Sequence, residues 1–217
     1  MLSRRRRSGY IALWIFGIAF GWIEAATVVY LRATTHVPAS AAPFPLTALP
    51  VELVQVEIVR EACTMFVLAA VAWAASRRVR DAIGAFLLTF GIWDLVYYAV
   101  LHLILGWPDA LTAWDVLFLI PLPWVAPIWA PATVAALFIG AGTYLFWTAE
   151  QPHWYVRGDF AVLFASALTV IAAFLVEWQV VFTLEPPRHF PLWLFLAGVA
   201  LGVGWFVHAE RRRRAHV

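Results

Sequence analysis

The residues of this 217-residue sequence that could do chemistry are ionisable groups set inside apolar runs. Glu24 interrupts GWIEAATVVY, and Glu57, Arg60 and Glu61 stand together in VEIVREA. Asp94, Tyr98 and His102 share WDLVYYAVLH. Asp115 falls in a stretch rich in tryptophan and proline, and Glu177 precedes Trp178 and Gln179. On a helix, Glu57 and Glu61 are i,i+4 neighbours with Arg60 close to the same side. Asp94, Tyr98 and His102 follow i,i+4,i+8, which makes a polar stripe. A charged side chain at the centre of a membrane helix costs about 2.5–3.5 kcal/mol. These groups should therefore face one another or water rather than lipid.

Glu24, Glu57, Glu61, Asp94, Asp115 and Glu177 are six acids against one fixed cation, Arg60. That many negative charges cannot stay close together in a low dielectric. Some are protonated, or a cation joins them, or water reaches them. Carboxylates from several helices with a histidine are ligands for hard or borderline divalent ions. Helical bundles build such sites from facing glutamates and histidines. The expected ligand set is Glu24, Glu57, Glu61, Asp94 and His102, with Arg60 as charge partner and Tyr98, Asp115 and Glu177 in support. The metal's identity is left open. No Glu-x-x-His pair falls within the expected spans, since Glu150 and His153 lie between two of them, so a mononuclear zinc held by His102 and two carboxylates is another form of the same idea. Its chemistry would be activation of bound water or polarisation of a substrate.

Two other readings compete. A proton or cation path would need polar groups along its whole length, and one half of the spans offers only Thr89, Thr143, Tyr144, Ser166 and Thr169. That half looks sealed, which disfavours a full relay and a small cation or proton transporter. Alternatively, Arg60 pairs with Glu57, Glu61 or Asp94, and the cluster locks helix packing. The protein would then be a non-catalytic subunit or assembly factor of a larger membrane complex.

The elements that must position these residues follow from composition. The chain is 64% hydrophobic and 13% charged, with a mean hydropathy of +0.82. Soluble domains average about 45–50% apolar and about 25% charged. Lipid must be the solvent for much of the chain. Spans of roughly 20 apolar residues are expected at about 10–31, 51–75, 82–105, 125–148, 160–183 and 191–208. The fold class is an all-α integral membrane protein, a single bundle of about six transmembrane helices. All-α is required because an unpaired strand edge cannot face lipid.

All 15 basic residues are arginine. Twelve of them, at 4–7, 77, 78, 80, 157 and 211–214, fall on one side of a six-span model, against Arg32 and Arg188 on the other. The positive-inside rule then puts both termini in the cytoplasm and the intramembrane acids in the outer half. A bacterial inner membrane is the expected location. The basic pI of about 9.0 reflects these topology clusters, not nucleic-acid binding. Arg4–Arg7, an apolar run and Ala39-Ser40-Ala41 loosely resemble a signal peptide, but the run is too long and holds Glu24.

Two outer segments are rich in proline. Residues 32–50 read as a long loop. Residues 106–131 carry Pro121, Pro123, Pro127 and Pro131, which exclude one continuous helix. A short helix from about Leu111 to Leu119 followed by extended chain is expected there. It would lie at the interface, anchored by Trp107, Trp114, Trp124 and Trp129, or dip back into the bundle as a re-entrant lid. Gly17, Gly21, Gly84, Gly91, Gly198, Gly202 and Gly204 suit close helix contact. Cys63 reads as a small buried hydrophobe. His153, His189 and His208 lie at or near loops and helix ends. Haem is disfavoured because His102 and His208 stand at opposite ends, and no nucleotide-binding fingerprint or serine-hydrolase elbow is present.

Overall fold

The structure is a computed structural model, and it describes residues 4–35, 50–150, 156–183 and 187–215. The chain runs through helices α1 (Arg4–Thr35), α2 (Val51–Ala74) and α3 (Val79–Leu105), then strands β1 (Trp114–Phe118) and β2 (Trp124–Pro127). Helices α4 (Trp129–Thr148), α5 (Arg157–Leu175) and α6 (Leu192–Ala215) follow, with a short 3-10 helix (Trp178–Phe182) between the last two. Most of the 32–50 loop, the Ala39-Ser40-Ala41 motif and His153 lie outside the described residues.

Five helices, α1, α3, α4, α5 extended by the 3-10 turn, and α6, are long and apolar enough to cross a membrane. The sixth, α2, has 24 residues, about 36 Å at the usual rise. It carries Glu52, Glu57, Arg60 and Glu61 within its first eleven positions. Large apolar side chains lie on the outside. Phe66 is 74%, Leu103 77% and Trp193 73% exposed. Water would not tolerate that surface, and lipid does. This is a multi-pass helical membrane protein.

Element ends follow local chemistry. Pro50 precedes α2, where the missing amide hydrogen removes no helical bond. Gly106 closes α3 in the left-handed conformation at φ 68°, its N–H returning to the His102 carbonyl. Helix α3 is the central element, packed on α1, α2 and α4, while α5 and α6 pair with each other. The α3–α4 contact depends on missing side chains. A Cβ on Gly142 would fall 2.5 Å from the Leu88 nitrogen, and one on Gly84 would fall 2.8 Å from the Phe146 nitrogen. Backbones this close gain dispersion that lipid cannot supply.

Three expectations are corrected. The segment 111–119 is not helical. Trp114 to Phe118 pairs antiparallel with Trp124 to Pro127, with Val116 opposite Val125. Aromatic and β-branched residues favour this, and Pro121 and Pro123 fall in the turn between strands. The Ile128 N–H donates to Ala113 at 2.9 Å and the Trp129 N–H to Leu111 at 2.9 Å. These bonds carry the pairing of the two arms past the strand ends and into the start of the next helix. The fold is that of an all-α membrane protein to which, among the described residues, one two-stranded hairpin is added. The fourth helix consequently begins at Trp129, after β2, rather than at Val125. Cys63 is exposed on the outer surface of α2, not buried.

The end of the bundle where α1 begins and α6 ends is held by ion pairs. Arg6 binds Asp81 at 3.1 Å and Glu150 at 2.9 Å. Arg80 binds Glu210 at 2.9 Å, and the Tyr144 hydroxyl donates to the same carboxylate at 2.9 Å. Arg212 and the Trp205 indole both donate to Asp159, a fully buried carboxylate that also accepts the Val156 N–H and so starts α5. Arginines read from sequence only as topology signals thus also tie helices together.

Candidate functional site

The opposite end, beneath the hairpin, gathers most of the intramembrane acids. Glu24 comes from α1, Glu57, Arg60, Glu61 and Thr64 from α2, Asp94, Tyr97 and Tyr98 from α3, and Asp115 from β1. Arg60 joins two helices. Its Nε and Nη2 reach Glu57 Oε2 at 2.8 and 2.7 Å, and its Nη1 contacts Glu24 Oε1. The Thr64 hydroxyl donates to the other Glu24 oxygen at 3.3 Å. Glu61 turns instead to the hairpin and accepts the Leu119 N–H at 2.8 Å. A carboxylate on a helix therefore holds the end of β1 in place.

Asp115 is only 4% exposed. It accepts the Tyr98 hydroxyl at 2.8 Å and the Val116 N–H at 2.9 Å. Burial pushes its carboxyl up to about 6, while those two donors and the nearby Arg32 guanidinium pull the other way. Arg32 lies over the Trp107 ring at 4.9 Å from its centroid and is itself buried. Asp94 faces the open space between the helices and has no hydrogen-bond partner among the described residues.

That space is a cavity of about 2090 Å³. Typical small-molecule sites measure about 300–1,000 Å³. One wall is formed by α1, α2, α3 and α4 and the other by α5 and α6, and the hairpin covers one end. Glu24, Glu57, Arg60, Glu61, Asp94, Tyr98 and Asp115 all line that end. The middle is apolar, with Leu137, Phe138, Phe164, Ala167 and Val170 among its walls. The far end reaches Arg80, Tyr144 and Glu210. The half of the molecule that looked sealed in sequence is thus continuous with the rest.

Two expected site residues lie elsewhere. His102 is exposed at the end of α3, where its Nδ1–H donates to the Pro108 carbonyl at 2.7 Å. Its i+8 spacing from Asp94 carried it past the cavity. Glu177 lies past the end of α5, at the start of the 3-10 helix, without lining the cavity, and its backbone carbonyl accepts from the Val180 N–H. Arg32, Tyr97, Thr64, Trp93 and Trp124 belong to the lining or its support and were not singled out by sequence. In sequence Arg32 reads as an outer-side charge and Trp124 as an interface anchor, and neither reading points to a cavity.

Among the described residues, no three His, Cys, Asp or Glu side chains gather closely enough to hold a metal ion. The carboxylates of Glu24, Glu57, Glu61 and Asp115 meet protein donors instead. The arrangement offers a buried charged wall at the mouth of an apolar chamber, with one open carboxylate and two carboxylates tied to an arginine. Comparison with protein-family models, with curated proteins and with solved structures finds no match.

Proposed function

We propose that this membrane protein takes a lipophilic molecule into the cavity and holds its polar end against the Glu24–Arg60–Asp94–Asp115 wall. The observation that carries this reading is the cavity itself: about 2090 Å³, apolar along its length and charged beneath the hairpin. Helix α2 packs mainly on α3 and makes no substantial contact with α5 or α6. That leaves a lateral route from the bilayer for a long apolar chain. Asp115, Glu61 and Asp94 supply the groups for proton transfer to or from a bound head, which makes an acid–base step at this end the natural activity.

The orientation follows the arginine asymmetry. In a six-span arrangement with both termini cytoplasmic, the hairpin end faces the outer leaflet of a bacterial inner membrane, where a lipophilic or periplasmic substrate is met. A divalent ion joining Asp94 and the neighbouring carboxylates would add Lewis acidity to the same site.

The test is mass spectrometry of lipids retained by the purified full chain, beside a variant with Leu137→Trp and Ala167→Trp filling the cavity. Retention of a lipophilic molecule by the parent, and its loss in a folded variant, supports the reading. Equal retention by both overturns it. Metal analysis of the parent and of Glu61→Gln decides the ion separately. A stoichiometric metal lost in the variant supports it, and no metal in the parent removes it.

A further inference from the structure

The charged wall is not evenly satisfied, and the imbalance points to the chemistry of the head group. Glu24 and Glu57 share Arg60. Glu61 accepts the Leu119 N–H. Asp115 has the Tyr98 hydroxyl and the Val116 N–H. Asp94 remains, lining the cavity without a hydrogen-bond partner among the described residues. Five acids stand against Arg32 and Arg60 on this wall, an excess that a bound cation would balance.

The face of α3 that carries Asp94 is aromatic, with Phe90 at i−4 and Tyr97 at i+3. Trp93 lies 5.4 Å from Phe90, 6.5 Å from Tyr97 and 6.5 Å from Phe118 between ring centroids. Phe118 continues to Trp124 at 5.3 Å. All five rings line the cavity. Ring faces beside a carboxylate attract ammonium groups, quaternary ones included.

A second, independent observation concerns donors. The indole N–H groups of Trp93 and Trp124 are buried with no hydrogen-bond partner among the described residues, and Trp93 is only 6% exposed. An unmet buried donor is costly, and both rings border the cavity. They call for an acceptor oxygen that the described residues do not provide.

We propose that the ligand's head is zwitterionic, with an ammonium set against Asp94 and the aromatic faces and a phosphate-type oxygen accepting from the Trp93 and Trp124 indoles. An ethanolamine or choline phospholipid has this chemistry, and its acyl chains match the apolar chamber. This assignment rests on the lipophilic-ligand reading above.

The experiment uses the delipidated full chain in detergent, challenged with phosphatidylethanolamine, phosphatidylglycerol and diacylglycerol of identical acyl chains, with retained lipid measured by mass spectrometry. Phosphatidylethanolamine should be retained about ten-fold better than either of the others, the scale of one ion-pairing and cation–π contact. Asp94→Asn should bring it down to the level of phosphatidylglycerol. Trp93→Phe should lower both phospholipids several-fold while phosphatidylethanolamine stays ahead. Phosphatidylglycerol held as well as phosphatidylethanolamine, or a preference untouched by both variants, overturns the head-group assignment and leaves the lipophilic-ligand reading standing. Retention of none of the three overturns that reading itself.

Discussion

The two ends of this bundle use the same residue types for different ends. At the arginine end, Arg6, Arg80 and Arg212 each meet carboxylates, and Glu210 and Asp159 each take a second donor from Tyr144 or Trp205. At the hairpin end, acids exceed arginines, Asp94 faces open space, and two indoles lack acceptors among the described residues. A matched set of buried charges holds helices together. An unmatched set bordering a cavity has spare capacity for a ligand. Burial alone does not separate the two, since Glu210 at 5% and Asp115 at 4% exposure are equally enclosed.

The largest effect should come from the matched end. Glu210→Ala removes the carboxylate that both Arg80 and Tyr144 bind, and breaking a buried pair costs about 3–5 kcal/mol. Thermal unfolding in detergent should show a large drop in midpoint. A drop no larger than that of a surface variant would erase the contrast between the ends.

Tyr98→Phe should cost about 1.5–3 kcal/mol, the range for a hydrogen bond to a charged group. It also has a pH signature. The Asp115 carboxyl titrates at about 6 in the folded protein against an ordinary 3.8. The folded state therefore binds more protons than the unfolded state between those values, and the Asp115 contribution to stability falls as pH rises from about 4 to about 6, then levels off. Removing the Tyr98 donor raises the folded value further, so the upper edge of the window should move above 6. Unfolding midpoints across this range check it, and an unchanged window would show that the Tyr98 hydroxyl does not stabilise the Asp115 carboxylate.

Glu61→Ala should cost about 1–3 kcal/mol by leaving the Leu119 N–H without its acceptor. Protease sensitivity at the hairpin should rise, with the arginine end unaffected. The smallest stability effect belongs to Asp94→Asn. With no partner to lose, it should stay within about 0.5 kcal/mol while altering ligand retention. A loss as large as that of Glu210→Ala would show that Asp94 is a structural group after all.

Much of the hairpin-end cluster was legible in sequence because spacing on a helix fixes direction. Glu57 and Glu61 at i,i+4 and Asp94 and Tyr98 at i,i+4 do reach the same cavity. His102 shows where the rule stops. It sits within one turn of Gly106, and there a local carbonyl, that of Pro108, is closer than any partner across the bundle. The hairpin was hidden for a different reason. Prolines rule out a helix, but the contacts that hold the hairpin come from Glu61 and from the Ile128 and Trp129 amides, which lie far away in sequence or past the strand. The arginine-end pairs were hidden because Arg80 and Glu210 are 130 positions apart.

Composition and the length of apolar runs were enough, on their own, to establish a helical membrane protein, because a chain this apolar has no other solvent in which its backbone is satisfied. Local spacing was enough to put carboxylates on shared helix faces. Only the tertiary structure decided which carboxylate is tied to an arginine, which caps the hairpin and which is left open. Those outcomes depend on how α1, α2, α3 and β1 meet, and helix-to-helix geometry is not written in the spacing of any one of them.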